Sequence, residues 1–197
     1  MRAEAAYQRA GLPCIFRLTS LAAAEGLDEI LSLRGYRKLD KTSVRIMTLG
    51  SAPHLHDDTV EIAEAPSAEW LASYALWQGQ DASRRAAHGA ILAAIPHRAA
   101  FAAARAAAHP GAPYVALGIA VLQGDWACLM DVITAPDMRR RGLSRRLTLA
   151  LIAHAQAAGA GGVYLQVVKS NQPALALYNA IGFDREIYRY SYRVRGQ

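Results

Sequence analysis

Five arginines fall within eight residues, Arg139-Arg140-Arg141-Gly142-Leu143-Ser144-Arg145-Arg146, where a strand hands over to a helix. Before them, residues 126–134 (WACLMDVIT) are β-prone, and Ala135-Pro136-Asp137 makes a turn. After them, Leu143, Leu147, Leu151 and Ala155 recur at i, i+4 spacing, which predicts a helix over 143–158. A helix N-terminus presents unpaired backbone N–H groups and a partial positive charge, so it attracts phosphate. Gly142 lets a ligand approach the backbone closely. Much of the formal net charge of +6 is concentrated at this one place. The ligand implied is a diphosphate or a larger polyanion. A solvated basic helix start and a nucleic-acid patch are the other readings of the same residues. The spacing is neither GxxxxGK[ST] nor GxGxxG.

Elsewhere the chain reads as alternating strands and helices. Residues 14–18 form a short strand, 27–33 a helix closed by Gly35, and 44–49 a second strand. Residues 50–58 are polar and turn-rich, a linker. Ser67 caps a helix over 67–79 whose broad face carries Trp70, Leu71, Tyr74 and Trp77. Asp81 or Ser83 caps another that ends before Pro96. Residues 98–105 suggest a strand, although runs of Ala carry little periodic information. Residues 114–123 and 126–134 form a hairpin around Gly124-Asp125. The strand 163–168, a helix over 171–181 with Pro173 in its first turn, and a Tyr- and Arg-rich strand over 186–194 complete the chain. The order strand–helix–strand recurs at an offset of 147, with Gly35-Tyr36 matching Gly182-Phe183.

The 197 residues allow one domain, or one and a fraction. No apolar run approaches the length of a membrane span, and the N-terminal residues lack the pattern of a secretory signal. Cys14 and Cys128 form neither a disulfide framework nor a metal spacing. A cytoplasmic protein without a metal, not associated with a membrane, is expected. The histidines, His88 and His154 among them, show no ligand spacing, and His54 and His56 fall in the linker.

The spacing Arg139-x-x-Gly142-x-Ser144, after the segment DVITAP, resembles the pyrophosphate loop of the GNAT superfamily of N-acetyltransferases. A second match follows in the right order and at the right separation. Asn171-Gln172-Pro173-Ala174-Leu175-Ala176-Leu177-Tyr178, then Gly182-Phe183, resembles the family's Asn-x-x-Ala-x-x-x-Tyr…Gly-Phe segment. Ser144 departs from the usual Gly or Ala. It keeps the loop small, and its hydroxyl is a further donor for the ligand. The resemblance implies an α/β (α+β) fold, the GNAT acyl-CoA N-acyltransferase fold, with a mixed central sheet, splayed parallel strands and flanking helices. It also implies a tandem-type chain: residues 1–50 a partial GNAT-like strand–helix–strand unit, 51–61 a linker, and 62–197 a complete GNAT domain.

The mechanism implied is acetyl transfer from acetyl-CoA, a cosubstrate, to a primary amine by direct attack in a ternary complex. The CoA arm would pair with the backbone of Val132, Ile133 and Thr134. A bulge there would aim an N–H at the thioester carbonyl. The pyrophosphate would sit on Arg139, Arg140, Arg141, Gly142, Leu143, Ser144 and Arg145. Asn171 and Ala174 would border the CoA arm, and Tyr178 matches the family's general acid. The family's usual base position corresponds to Met130, which cannot serve. Asp131 is the nearest carboxylate, though strict alternation turns it to the face opposite Met130.

A non-catalytic acyl-CoA-binding regulatory module is the alternative. Nucleic acid is disfavoured as a partner because the pyrophosphate loop already explains the arginines. The acceptor is not encoded in any motif. A half-unit leaves a sheet edge to be covered, either by packing of residues 12–50 against the complete domain or by a homodimer.

Overall fold

The computed structural model describes residues 2–22, 24–50, 59–107, 109 and 111–195. The expected linker residues 51–58, with His54 and His56, lie outside them. The chain divides into two compact units, residues 46–165 and residues 1–45 with 166–197.

The larger unit spans residues 46–165. It contains β3 (Val60–Ala63), α3 (Ala68–Trp77), α4 (Ala82–Ala93), β4 (Ala99–Arg105), β5 (Tyr114–Gln123), β6 (Trp126–Thr134), a 3₁₀ turn (Pro136–Met138) and α5 (Leu143–Ala157), and it takes in the start of β7 (Gly162–Val168). Strands β3 to β6 form an antiparallel run in chain order, and β7 joins β6 in parallel from Trp126↔Gly162 to Leu129↔Leu165. The sheet is therefore mixed. Residues 130–134 of β6 run on beyond the last parallel pair.

Alternation sorts the strands' side chains onto two faces. Phe101, Ala103, Leu117, Ile119, Val121 and Cys128 face α3 and α4, packing on Trp70, Tyr74 and Leu92. The other face is built from small residues. Ala100, Ala102 and Ala104 of β4 pair with Ala120, Gly118 and Ala116 of β5. A Cβ at Gly118 would lie 3.0 Å from Leu147 and 3.1 Å from Leu151, so α5 rests on this small-residue surface. Leu147 and Leu151 are fully buried, and burial of this kind contributes roughly 1.5–3 kcal/mol per side chain. The alanine-rich strand thus has a use that periodicity could not show: it lets a helix approach closely.

The caps follow the sequence. Ser67 Oγ accepts from the Trp70 N–H at 3.0 Å, and Asp81 Oδ1 from the Arg84 N–H at 2.8 Å. At the end of α5, Gly159 takes φ +94°. The amides of Gly159 and Ala160 donate to the carbonyls of Gln156 and Ala155, the paired bonds of a Schellman close.

The other unit holds α1 (Arg2–Arg9), β1 (Ile15–Thr19), α2 (Leu27–Leu33), most of β2 (Tyr36–Thr48), the end of β7, α6 (Gln172–Ile181) and β8 (Arg185–Arg195). β1 pairs antiparallel with β8, and β8 lies next to β2. Buried Arg193 donates to Asp28 at 2.9 Å and to the Tyr36 carbonyl at 2.8 Å. Arg45 of β2 donates to the Phe183 carbonyl at 2.7 Å and to Asn179 Oδ1, fixing the end of α6. Among the described residues, no helix is long and apolar enough to cross a membrane.

Candidate active site

Three local structures carry the residues singled out from sequence. The arginine-rich loop comes first. Arg140 and Gly142 adopt left-handed backbone, φ +61° and +77°. Gly142 stands at the N-cap and offers no side chain to the first turn of α5. The first i→i−4 bond runs from the Arg146 N–H to the Gly142 carbonyl, so the amides of Leu143, Ser144 and Arg145 precede the helical ladder. Arg139, Arg140, Arg141 and Arg145 are exposed around them, and Leu143 is buried and anchors the turn. Left-handed residues alternating with ordinary ones direct successive N–H groups into one concavity, a geometry that binds anions. The Ser144 hydroxyl is not turned to the solvent alone. It lies 2.6 Å from Thr134 Oγ1, and Thr148 Oγ1 donates to the Ser144 carbonyl at 2.7 Å. Serine here ties the end of β6 to the start of α5.

The second structure is a bulge in β6. Leu117 pairs with Ile133 but Ile119 with Met130, so Gly118 alone faces both Asp131 and Val132. Asp131 takes φ +54°, a conformation that Asp tolerates better than most residues. The extra residue leaves backbone N–H groups out of the ladder. It also overturns the alternation argument made for Asp131. A regular strand would send its carboxylate to the α5 face. The bulge instead returns it to the α3–α4 face, where Asp131 Oδ2 meets His88 Nε2 of α4 at 2.9 Å. The His88 ring stacks on Tyr74 of α3, centroids 4.5 Å apart. Burial first, and then the Asp131 charge, push the Tyr74 phenol well above its ordinary pKa, so it stays neutral. Tyr74 is core, as its helical spacing suggested, but its ring also walls this polar cluster. His88 was not legible: it sits on an alanine-rich helix, and no spacing joins it to Asp131, 43 residues on.

The third structure is α6. The Asn171 side chain accepts from the Ala174 N–H at 3.2 Å and caps the helix, with Pro173 in its first turn. Tyr178 is 8% exposed and meets Phe183 edge-to-face at 5.9 Å. Burial alone pushes its phenol up to about 12. The candidate residues thus fall into two groups: 131–145 in the unit 46–165, and Asn171, Ala174 and Tyr178 in the other. His154, near the end of α5, is held below the usual histidine range, by burial first and then by Arg98. Among the described residues, no three His, Cys, Asp or Glu side chains gather as a metal site would need.

A loop of unpaired amides and arginines at a helix start, followed by Asn-x-x-Ala-x-x-x-Tyr on the next helix, is matched across residues 57–183 by the model of the Acetyltransferase (GNAT) family. The chain belongs to this family. It is 26% identical over 199 residues to the uncharacterized N-acetyltransferase YobR of Bacillus subtilis, covering 99% of this chain and 78% of that protein. Among solved structures, a tandem GNAT protein from the clavulanic acid biosynthesis pathway superposes with a TM-score of 0.67 at 12% identity, over 98% of this chain and 67% of that one. AAC(6')-Iy, solved with the bisubstrate analog CoA-S-monomethyl-acetylneamine, superposes with a TM-score of 0.50 at 16% identity, over 64% of this chain and 92% of that one. These likenesses establish the GNAT fold expected from the two motifs.

Proposed function

We propose that the chain transfers an acetyl group from acetyl-CoA to a primary amine by direct attack in a ternary complex. The observation that carries this reading is the start of α5. Left-handed Arg140 and Gly142, an N-cap without a side-chain acceptor and the surrounding arginines suit a pyrophosphate. In this reading the phosphates occupy the amides of residues 140–145, with Arg139, Arg140, Arg141 and Arg145 supplying charge. The CoA arm runs along the backbone of Val132, Ile133 and Thr134, the part of β6 beyond its last parallel pair. An N–H freed by the bulge meets the thioester carbonyl and stabilises charge as the tetrahedral intermediate forms. Asp131 supplies the negative charge that favours loss of the amine's proton. Asn171 and Ala174 border the CoA arm, and Tyr178 donates a hydrogen bond to the departing sulfur.

The reading extends to the N-terminal residues as a partial GNAT-like unit. Its support is internal. Both α2 and α6 end at a left-handed glycine, Gly35 and Gly182, followed by a buried aromatic, Tyr36 and Phe183. A solved likeness that is itself a tandem GNAT protein agrees with it. The reaction is assigned to the cytoplasm.

Calorimetric titration of acetyl-CoA into the wild type and an Arg139→Ala/Gly142→Glu variant tests the cofactor site. Micromolar binding lost in the variant is expected, followed by thiol release with a panel of amines. A folded wild type that binds no acetyl-CoA refutes the proposal. Binding without transfer to any amine leaves only a CoA-binding module.

A further inference from the structure

The His88–Asp131 pair lies beside the bulge, in a position that no motif announces. Its geometry is that of an oriented base. Asp131 Oδ2 takes one ring nitrogen, Nε2, at 2.9 Å. A carboxylate only accepts, so in the neutral ring the proton stands on Nε2 and the lone pair on Nδ1. Tyr74 stacks on one ring face and limits how the imidazole turns. The two side chains are 17% and 20% exposed, sheltered but open to a small molecule. The titratable groups on α3 and β6 are Tyr74, which stacks on the His88 ring, Glu69, which pairs with Arg105 at 3.6 Å, and Asp131 and Cys128, while Arg84 and Arg85 lie about one turn earlier on its own helix. Both phenol and thiol are pushed upward in pKa by burial, so Asp131 is the anion of the cluster.

We infer that His88 is a catalytic residue, the group that takes the proton from the incoming ammonium, with Asp131 as its positioning partner. The inference rests on the acetyltransferase reading above. The alkylammonium gives its proton to His88 Nδ1. The free amine attacks the thioester carbonyl, which lies at the bulge next to Asp131. A C–N bond forms, and the C–S bond breaks with its electron pair leaving on sulfur. The amine's second proton passes to water, and the imidazolium then returns its own proton to water. The acceptor class follows: a primary amine charged at neutral pH, for which a base is obligatory.

The test compares wild type with His88→Gln, using n-butylamine and alaninamide as acceptors and thiol release as the readout. Simple alkylamines titrate at about 10.4 and α-amines at about 8. The expected result is a fall in kcat/KM of roughly a hundredfold or more at pH 7, as for loss of a general base. The deficit should be larger for butylamine and should close as pH passes each amine's own pKa. A deficit independent of pH, or equal for the two amines, overturns the role, and so does no deficit. Circular dichroism and acetyl-CoA affinity, both expected to be unchanged, separate misfolding from chemistry. A second measurement needs no acceptor. ¹⁵N NMR of the wild-type imidazoles should show neutral His88 protonated on Nε2, and Asp131→Asn should abolish that preference. Neutral His88 protonated on Nδ1 overturns the proposal. A wild type that binds no acetyl-CoA counts against the acetyltransferase reading and is recognised separately, because the NMR result stands without it.

Discussion

Tyr178 offers a quantitative check on how deeply α6 buries its phenol. Its phenol, 8% exposed, titrates at about 12 against an ordinary 10.0. A shift of two units corresponds to about 3 kcal/mol. The sign follows from proton linkage: between pH 10 and 12 the unfolded chain has released this proton and the folded chain has not. Stability attributable to Tyr178 is therefore intact below pH 10 and is lost as pH rises through 12. Tyr178→Phe removes the group, so the variant should lose about 3 kcal/mol less than wild type over that interval. Urea unfolding followed by far-UV circular dichroism at successive pH values measures the difference. Tyr36, also raised to about 12, is common to both proteins and cancels. Identical alkaline slopes for the two proteins would refute the burial argument. The kinetic corollary concerns the thiolate, whose conjugate thiol titrates at about 8.5 by analogy with Cys. Full proton transfer from a phenol at about 12 would be uphill by roughly 5 kcal/mol. In the proposed reaction this limits Tyr178 to donating a hydrogen bond to the departing sulfur. The phenylalanine variant should lower kcat more than acetyl-CoA affinity, without introducing a new basic limb below pH 10.

Gly118→Ala should destabilise the protein by about 1–3 kcal/mol, read as a lowered thermal midpoint, because the new Cβ would stand 3.0 Å from Leu147, 3.1 Å from Leu151 and 3.3 Å from Val132. An unchanged midpoint would mean that α5 can retreat freely from β5. Asp28 is drawn down to about 2, chiefly by its hydrogen bond from Arg193 and then by that from Lys38. Its contribution is present above about pH 4 and is lost as pH falls towards 2, so Asp28→Asn should flatten the acid limb of the urea midpoint between those values.

Most of the elements could be read from sequence because each carried its own punctuation. The helix over 27–33, the strands over 114–123 and 126–134 and the helix from Leu143 emerge where periodicity and turn residues placed them. Helix α1 escaped because its stripe at helical spacing, Ala3, Ala6 and Tyr7, is short and mostly alanine, and none of its residues is buried. Strand β3 is four residues long, too short to show alternation. The site divides in the same way. The arginine loop and the Asn171–Tyr178 helix are contiguous stretches and are legible as such. The His88–Asp131 pair exists only through tertiary packing, and a bulge makes it. Period-two reasoning fails wherever one strand carries an unpaired extra residue, and nothing in the residues 126–134 marks which one that will be.

The division of the chain into two units also partitions its chromophores. Trp70, Trp77 and Trp126 all belong to the unit 46–165. Six of the nine tyrosines, Tyr7, Tyr36, Tyr178, Tyr188, Tyr190 and Tyr192, belong to the other. Indole emission therefore reports on the unit 46–165. Tyrosine absorbance is weighted towards the unit that holds Tyr178. Following both signals through one denaturation would show whether the two units lose their structure together or in succession, with no label attached to the protein.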